Sequence, residues 1–347
     1  MDQGHVRFAV VGVGHIGTRH VAMVQAHPEA LLVAVADPKF AEAPSGIATL
    51  DDQGCAFGSM DAMLEHQGAN LDVVAICTPN GSHAYLAIQA LEAGCHVVLE
   101  KPVALTAEDV VRVQHTAQSK GLKVFGVMQN RYAPAAEWLQ GAMKRGLVGD
   151  VLQVHVRCLW NRDERYYQPG SWRGTLAQDG GPLFTQFSHF LDILIWVFGR
   201  LEVEDAHFVN QAHQQSTEFE DGGTVRFALQ GGAWGTLTFS TAVAHQNLES
   251  SMTVLGSDGS FRIGGQYMDR LESFAVPGEE KPVIAPPAPA NDYGGYKGSA
   301  ANHHHVYDNV LDALLRDAPI ATPIEEGLMV VEAIEAMHAL GRRSDHR

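Results

Sequence analysis

Across the first 130 residues, apolar positions cluster into short continuous runs, each closed by turn residues. The runs are 6–11, "LLVAVAD" ending at Asp37, "LDVVAICTPN" (71–80), "CHVVLEKP" (95–102) and "KVFGVMQN" (123–130). Segments 82–93 and 106–120 between them read as helices. Fully apolar strands alternating with helices predict a parallel sheet covered on both faces, a doubly wound Rossmann α/β domain over residues 1–128. Beyond it, strand-like runs recur near 203–210, 223–230, 233–241, 250–256 and 260–264, with turn signals and no helices between them. They predict an α+β second domain over 129–347, built on a large, mostly antiparallel open sheet. Residues 276–292 are Pro-rich and read as a loop. "TPIEEGLMVVEAIEAMHAL" (322–340) reads as the last helix, opened by a capping box from Thr322 to Glu325 with Pro323 first, and its helices can pack back on the first domain.

One run departs from the apolar rule. "LFTQFSHFLDILIW" (183–196) carries a histidine and an aspartate in its middle, although burying an unpartnered polar group costs roughly 2–7 kcal/mol. On a helix over 184–198, Phe187, Phe190, Leu191, Leu194 and Phe198 form a core-facing stripe, while Thr185, His189, Asp192 and Trp196 gather on another. The polar stripe is either a hydrogen-bonded core histidine with Asp192 as partner, or part of a site.

Composition narrows the partners. Lysine plus arginine total 24 against 40 acidic residues, a formal charge of −16. Such a field repels nucleic acid and anionic membranes, so an anionic ligand must be held locally. The chain has no 18-residue apolar run and no signal-peptide layout, and a cytoplasmic protein is expected. Cys55, Cys77, Cys95 and Cys158 lack CxxC spacing and read as reduced thiols.

The strand 6–11 runs directly into Gly12-x-Gly14-x-x-Gly17, with His15 and Ile16 between the last two glycines. Glycine here serves a tight turn, close approach of backbone to a pyrophosphate, and close helix–strand packing. The pyrophosphate sits on the N-terminus of the following helix. Asp37, 20 residues past Gly17 at the next strand end, suits the adenosine ribose hydroxyls and selects NAD over NADP, with Lys39 leaving some room for the latter. Ligands of such sheets bind outside the carboxyl ends of the strands. Thr78-Pro79-Asn80 with His83, Glu100-Lys101-Pro102, and Gln129-Asn130-Arg131 lie there. The run His303-His304-His305 is no metal site on this reading, because consecutive residues rarely face one centre, and a helix entry after Asn302 fits better.

Gly12-x-Gly14-x-x-Gly17 followed by Glu100-Lys101-Pro102 resembles the Gfo/Idh/MocA family of NAD(P)-dependent sugar oxidoreductases. The resemblance runs end to end, with "RYAPAAEWLQGAMKRGLVGD" (131–150) as the first helix of the second domain. "SWRGTLAQDGGPLFTQFSHFLDILIWVFG" (171–199) and "NDYGGYKGSAANHHHVYDNV" (291–310) look like the branch of bacterial 3-dehydrogenases acting on UDP-N-acetylated sugars. That branch oxidises C3 of UDP-N-acetylglucosamine or its uronic acid for a later amination in cell-surface polysaccharide or lipid A synthesis. The resemblance implies Lys101 and His189 as catalytic residues, with a homodimer or homotetramer formed through the second-domain sheet. It also implies functional coupling to a PLP aminotransferase. Many relatives carry Asp four residues before the histidine; here Thr185 stands there, which shifts weight as general base to Lys101.

Oxidation of an alcohol needs its hydroxyl proton removed while hydride leaves carbon. Lys101 at a desolvated strand end takes or relays that proton, and His189 hydrogen-bonds the same oxygen. The cofactor set is Gly12, Gly14, His15, Ile16, Gly17, Asp37, Thr78, Pro79, Asn80, His83, Glu100, Lys101 and Gln129. For substrate, "CLWNRDERYYQPGSWRGT" (158–175) supplies aromatics to stack on sugar or uracil and arginines to fork onto phosphate or carboxylate. Arg162, Arg165, Tyr166, Tyr167, Trp172 and Arg173 are its candidates, joined by Asn130, Arg131, Thr185, His189, Asp192 and, in a glycine-rich segment, Tyr296 with Lys297. Two other readings stay open: a dehydrogenase of a free sugar or inositol, and a non-catalytic NAD-binding sensor.

Overall fold

A computed structural model describes residues 4–41, 48–50, 54–292, 297–300 and 302–344. The chain divides into two compact units, one from residues 1–128 and 303–328, the other from 129–302 and 329–347.

The first unit opens with β1 (Val6–Val11), α1 (His15–Ala26), β2 (Ala30–Ala36), β3 (Ala48–Leu50), β4 (Gly54–Phe57) and α2 (Met60–Gln67). It continues through β5 (Val73–Ile76), α3 (His83–Glu92), β6 (His96–Leu99), α4 (Ala107–Lys120) and β7 (Val124–Gly126). The sheet order is β3-β4-β2-β1-β5-β6-β7, parallel except where β3 meets β4. Buried runs such as VVAI of β5 have no polar face, as strands covered on both sides require. Val11 pairs with Ala36 and with Ile76, and Ile76 pairs with Leu99. The four strands therefore end level, and Gly12, Asp37, Cys77-Thr78 and Glu100-Lys101 emerge along one edge. The strand order reverses at β1, which makes that edge the binding crevice of a doubly wound sheet.

The second unit holds α5 (Pro134–Lys144), β8 (Val151–Leu159), α6 (Pro182–Thr185), α7 (Ser188–Phe198), β9 (Leu201–Val209), β10 (Gly222–Leu229) and β11 (Trp234–Ser240). β12 (Glu249–Gly256), β13 (Ser260–Gly264), β14 (Arg270–Ala275), β15 (Ala290–Asp292) and β16 (Lys297–Ala300) follow. Its large sheet runs β14-β13-β12-β8-β11-β10-β9 and is antiparallel except for the β8–β11 pair. Burial alternates along β10 and β11, so one face is covered. Phe187 and Phe190 cover it, each with its ring 5.7 Å from that of Trp160.

Three sequence expectations change. β8 lies at the centre of the second sheet, where no strand was expected. The helix expected over 184–198 is two helices, α6 and α7, broken at Gln186-Phe187, so Thr185 does not share a helical face with His189. Thr322 forms no capping box: its hydroxyl donates to the Gly126 carbonyl at 2.6 Å, and Gly126 N–H donates back to the Thr322 carbonyl at 3.0 Å, which ties the chain to β7. The last two helices are α8 (His303–Leu315) and α9 (Ile324–Ser344). Residues 303–328 cluster with the first unit.

Candidate active site

At the end of β1 the chain turns through Gly12 with φ +83°, where a Cβ would stand 2.8 Å from the Cys77 carbonyl oxygen. A Cβ on Gly17 would stand 1.8 Å from the Gly12 oxygen. Both glycines are consumed by packing. Gly14 is different: a Cβ there meets nothing within 4 Å, and no side chain caps α1, which carries His15, Ile16 and Gly17 in its first turn. An open space at a helix N-terminus receives a diphosphate. Asp37 closes the other side. Its Oδ2 accepts from Val13 N–H at 2.6 Å and its Oδ1 from Lys39 N–H at 3.0 Å. The Lys39 ammonium donates to the Val13 carbonyl at 2.6 Å. The carboxylate thus holds the glycine loop and keeps further lone pairs for ribose hydroxyls, so these residues fit a dinucleotide.

Thr78, Pro79 and Asn80 follow β5, with Thr78 Oγ1 2.7 Å from Ser82 Oγ. His83 is buried and is not turned to the crevice: its Nδ1 lies 2.7 Å from the Pro102 carbonyl and its Nε2 2.9 Å from that of Thr78. Burial lowers its pKa against the opposing pull of those carbonyls. It braces two loops from behind, which corrects its expected place on the cofactor. Glu100 is likewise redirected. Its Oε2 accepts from Lys101 N–H at 3.0 Å, and its Oε1 lies 3.0 Å from His20 Nε2. Lys101 itself is half-buried at the strand end.

In the second unit, α7 buries both His189 and Asp192. Gln129, in a 3-10 turn over Gln129–Tyr132 that includes Asn130, places its amide nitrogen 3.4 Å from His189 Nε2. Asp192 is paired with an arginine. Its carboxylate takes a two-pronged pair from Arg131 at 2.7 and 2.5 Å, and the guanidinium lies 5.3 Å from the Trp196 ring. Arg131 and Asp192 thus form a buried bracket. The Thr185 hydroxyl lies within hydrogen-bond reach of both the carboxylate and the carbonyl of Asp179, which compete for its one proton.

The aromatic–arginine stretch is mostly interior. Tyr166 and Tyr167 pack with Phe219 in a core cluster, and burial pushes the Tyr167 hydroxyl well up. Arg162 is buried against the Trp160 and Tyr166 rings and donates to Asn247 Oδ1 at 3.1 Å. Arg165 pairs with Asp163, holding that carboxyl at about 2. The Tyr166 and Tyr167 rings meet edge to face with centroids 5.0 Å apart, so Arg162, Tyr166 and Tyr167 all sit in the interior of this unit. Trp172 and Arg173 are half-buried, with the guanidinium 4.8 Å from the indole. Tyr296 lies outside the described residues, as does the side chain of Lys297.

A cavity missed by sequence reasoning is lined by Asn130, Ile193, Tyr267, Asp269, Arg270 and Pro289. Ile193 follows His189 by one turn on α7. The available signal was "GGQYMDR" (264–270), a polar–aromatic turn between strands in which Met268 is held at φ +58°.

A glycine cradle on a doubly wound sheet, with a lysine at a strand end, makes the first unit that of a dinucleotide-binding oxidoreductase. Residues 6–127 match the oxidoreductase family with NAD-binding Rossmann fold, and residues 141–339 match that family's C-terminal alpha/beta domain. The chain belongs to the Gfo/Idh/MocA family and is an NAD-dependent oxidoreductase. It is 26% identical over 340 residues to trans-1,2-dihydrobenzene-1,2-diol dehydrogenase of Bos taurus, covering 97% of each chain. To D-glucoside 3-dehydrogenase of Escherichia coli it is 29% identical over 243 residues, 69% of this chain and 65% of that protein. The WlbA dehydrogenase from Bordetella pertussis, solved with NADH and UDP-GlcNAcA, superposes with a TM-score of 0.83 at 30% identity, over 98% of this chain and 97% of that one. No described helix is long and apolar enough to cross a membrane.

Proposed function

We propose that the protein oxidises the C3 hydroxyl of a UDP-N-acetylated hexose, UDP-N-acetylglucosamine or its uronic acid, to the 3-keto sugar. The likeness at 30% identity, over nearly the whole chain, to a dehydrogenase solved with UDP-GlcNAcA carries this reading. NAD, when bound, supplies the hydride acceptor. Gly12, Gly14 and the first turn of α1 hold its diphosphate, and Asp37 its ribose. Lys101 Nζ takes the proton of the C3 hydroxyl as that carbon gives up hydride, and His189 hydrogen-bonds the same oxygen. Trp172, Arg173 and the cavity at Tyr267 and Arg270 are the substrate contacts that remain after Arg162, Tyr166 and Tyr167 are assigned to packing. The 3-keto product is an electrophile for an amino-transferring enzyme, and the open second-unit sheet joins copies of the chain in a homo-oligomer.

The 29% identity to a D-glucoside 3-dehydrogenase favours a second reading, a free glycoside oxidised at the same carbon. Single-turnover absorbance of reduced nicotinamide separates the two, with enzyme and NAD near stoichiometric. UDP-N-acetylglucosamine, its uronic acid, a methyl glucoside and myo-inositol are added separately. Signal from a UDP sugar alone supports the proposal. Signal from the glycoside or inositol alone replaces it, and silence from all four leaves a cofactor-binding sensor. With the reactive substrate, Lys101→Met is expected to lower turnover by about 10²–10⁴-fold with NADH binding retained.

A further inference from the structure

Behind Lys101, the first unit buries four polar side chains drawn from distant parts of the chain. Glu100 follows β6, His20 lies on α1, and His303 and Tyr307 lie on α8. Tyr307 Oη is 2.7 Å from His20 Nδ1, and His20 Nε2 is 3.0 Å from Glu100 Oε1. His303 Nε2 stands 3.7 Å from the same carboxylate oxygen, beyond hydrogen-bond length but close enough to stabilise an anion. Its ring edge meets that of His20, with centroids 5.7 Å apart.

The order of donors is fixed by chemistry. Burial pushes the Tyr307 hydroxyl well up, so it keeps its proton in the contact with His20 Nδ1. An ionised carboxylate can only accept, so His20 Nε2 is the N–H that donates to Glu100. Burial alone would raise the Glu100 carboxyl, but His20 and His303 outweigh it and hold the group well below the usual carboxylate range. His303 is lowered by its own burial and stays neutral, and the Cys77 thiol, pushed well up by burial, adds no charge. The second oxygen of that carboxylate accepts the Lys101 N–H at 3.0 Å.

We propose that Tyr307, His20 and His303 are positioning residues that hold Glu100 as an anion, and that Glu100 in turn sets the backbone and the charge state of Lys101 for the proton step. This rests on the reading of Lys101 as the base. His20 sits on the helix whose N-terminus forms the diphosphate cradle, so the network ties that cradle to the lysine. The three ligand-type atoms of His20, Glu100 and His303 also lie within 4.8 Å of one another, as in a metal site. The Tyr307–His20–Glu100 chain is hydrogen-bonded without a cation, while both ring nitrogens of His303 are buried with no hydrogen-bond partner, so metal content is part of the test.

The test uses the full chain with NAD and the reactive substrate, comparing Glu100→Gln, Tyr307→Phe and Lys101→Met. Glu100→Gln keeps the shape and the contact with Lys101 N–H but removes the charge. It is expected to lower kcat by roughly ten- to a hundredfold, with KM and NADH affinity little changed. Because the neutral amine is then favoured, the acidic limb of the kcat profile moves to lower pH. The near-isosteric Tyr307→Phe gives a smaller loss of kcat with KM unchanged. An unmoved limb in Glu100→Gln, or a loss of NADH affinity in step with kcat, overturns the proposal and leaves a structural cluster. Acetylation of Lys101 by acetic anhydride across pH, read by peptide mass spectrometry, makes the same comparison without substrate. Its midpoint is expected to fall in Glu100→Gln, and an unchanged midpoint overturns the proposal. Stoichiometric zinc in the purified protein would also overturn it. Full turnover in Lys101→Met would instead remove the base reading, whatever Glu100→Gln does.

Discussion

Glu100 in the first unit and Asp192 in the second are both almost completely buried, at 4% and 1% exposure, and the two are satisfied in opposite ways. Asp192 meets a guanidinium, so the charges cancel and a rigid bracket remains between α7 and the 129–132 turn. Glu100 meets imidazole and a backbone N–H, so its hydrogen-bond needs are met while its charge survives beside a lysine. The same chemical group is a clamp in one place and a source of field in the other, and its neighbours decide which. Buried ion pairs fix geometry, whereas a buried anion with neutral donors can act on a third group.

The largest effect should come from breaking the bracket. Arg131→Met leaves Asp192 buried without its counter-ion and is expected to cost about 3–5 kcal/mol in denaturant unfolding. Arg131→Met with Asp192→Leu should recover most of that loss. A single variant costing under about 1 kcal/mol, as a surface pair does, would erase the distinction.

The acid limb of stability sharpens the other side. Because the folded Glu100 carboxyl is held well below its ordinary range, its contribution is complete above the unfolded value of about 4.3 and is lost as pH falls through the folded value. Thermal melts of the wild type and Glu100→Gln should therefore differ most near neutrality and converge as the pH drops below about 4. A gap that stays constant with pH would mean that the charge contributes nothing to stability. The smallest effect is a neutral reference. Thr322→Val removes the buried hydroxyl bond to Gly126 and is expected to cost about 1 kcal/mol. A much larger cost would show that uncharged bonds in this unit already match the charged ones.

The first sheet was legible because continuous apolar runs and a Gly-x-Gly-x-x-Gly turn are local signals: Gly12 is required by its φ of +83° and Gly17 by the Gly12 carbonyl within the same turn. The second unit was less so. β8 (VLQVHVRCL) mixes burial and exposure at the centre of a sheet that only distant strands complete. The break at Gln186-Phe187 is invisible to a periodicity that spans it. Asp192 finds its partner 61 residues away at Arg131, and His20 finds Tyr307 at a separation of 287. Arginine and aromatic residues in one stretch signal stacking but not whether the stack is internal, which is why Arg162, Tyr166 and Tyr167 read as ligands when they are packing.

The return of α8 to the first unit has a consequence for biosynthesis. Tyr307 packs its ring 5.7 Å from that of Phe8 on β1 and completes the donor chain to Glu100, yet it is made roughly 180 residues after β7, about 10–35 s later at ordinary translation rates. Until then the nascent nucleotide-binding sheet lacks Tyr307 and His303 from its core, and of the three side chains grouped around Glu100 only His20 is present. A fragment ending at residue 128 would stay in that state permanently. The donor chain behind the lysine is therefore completed only after the second unit's large sheet has been translated.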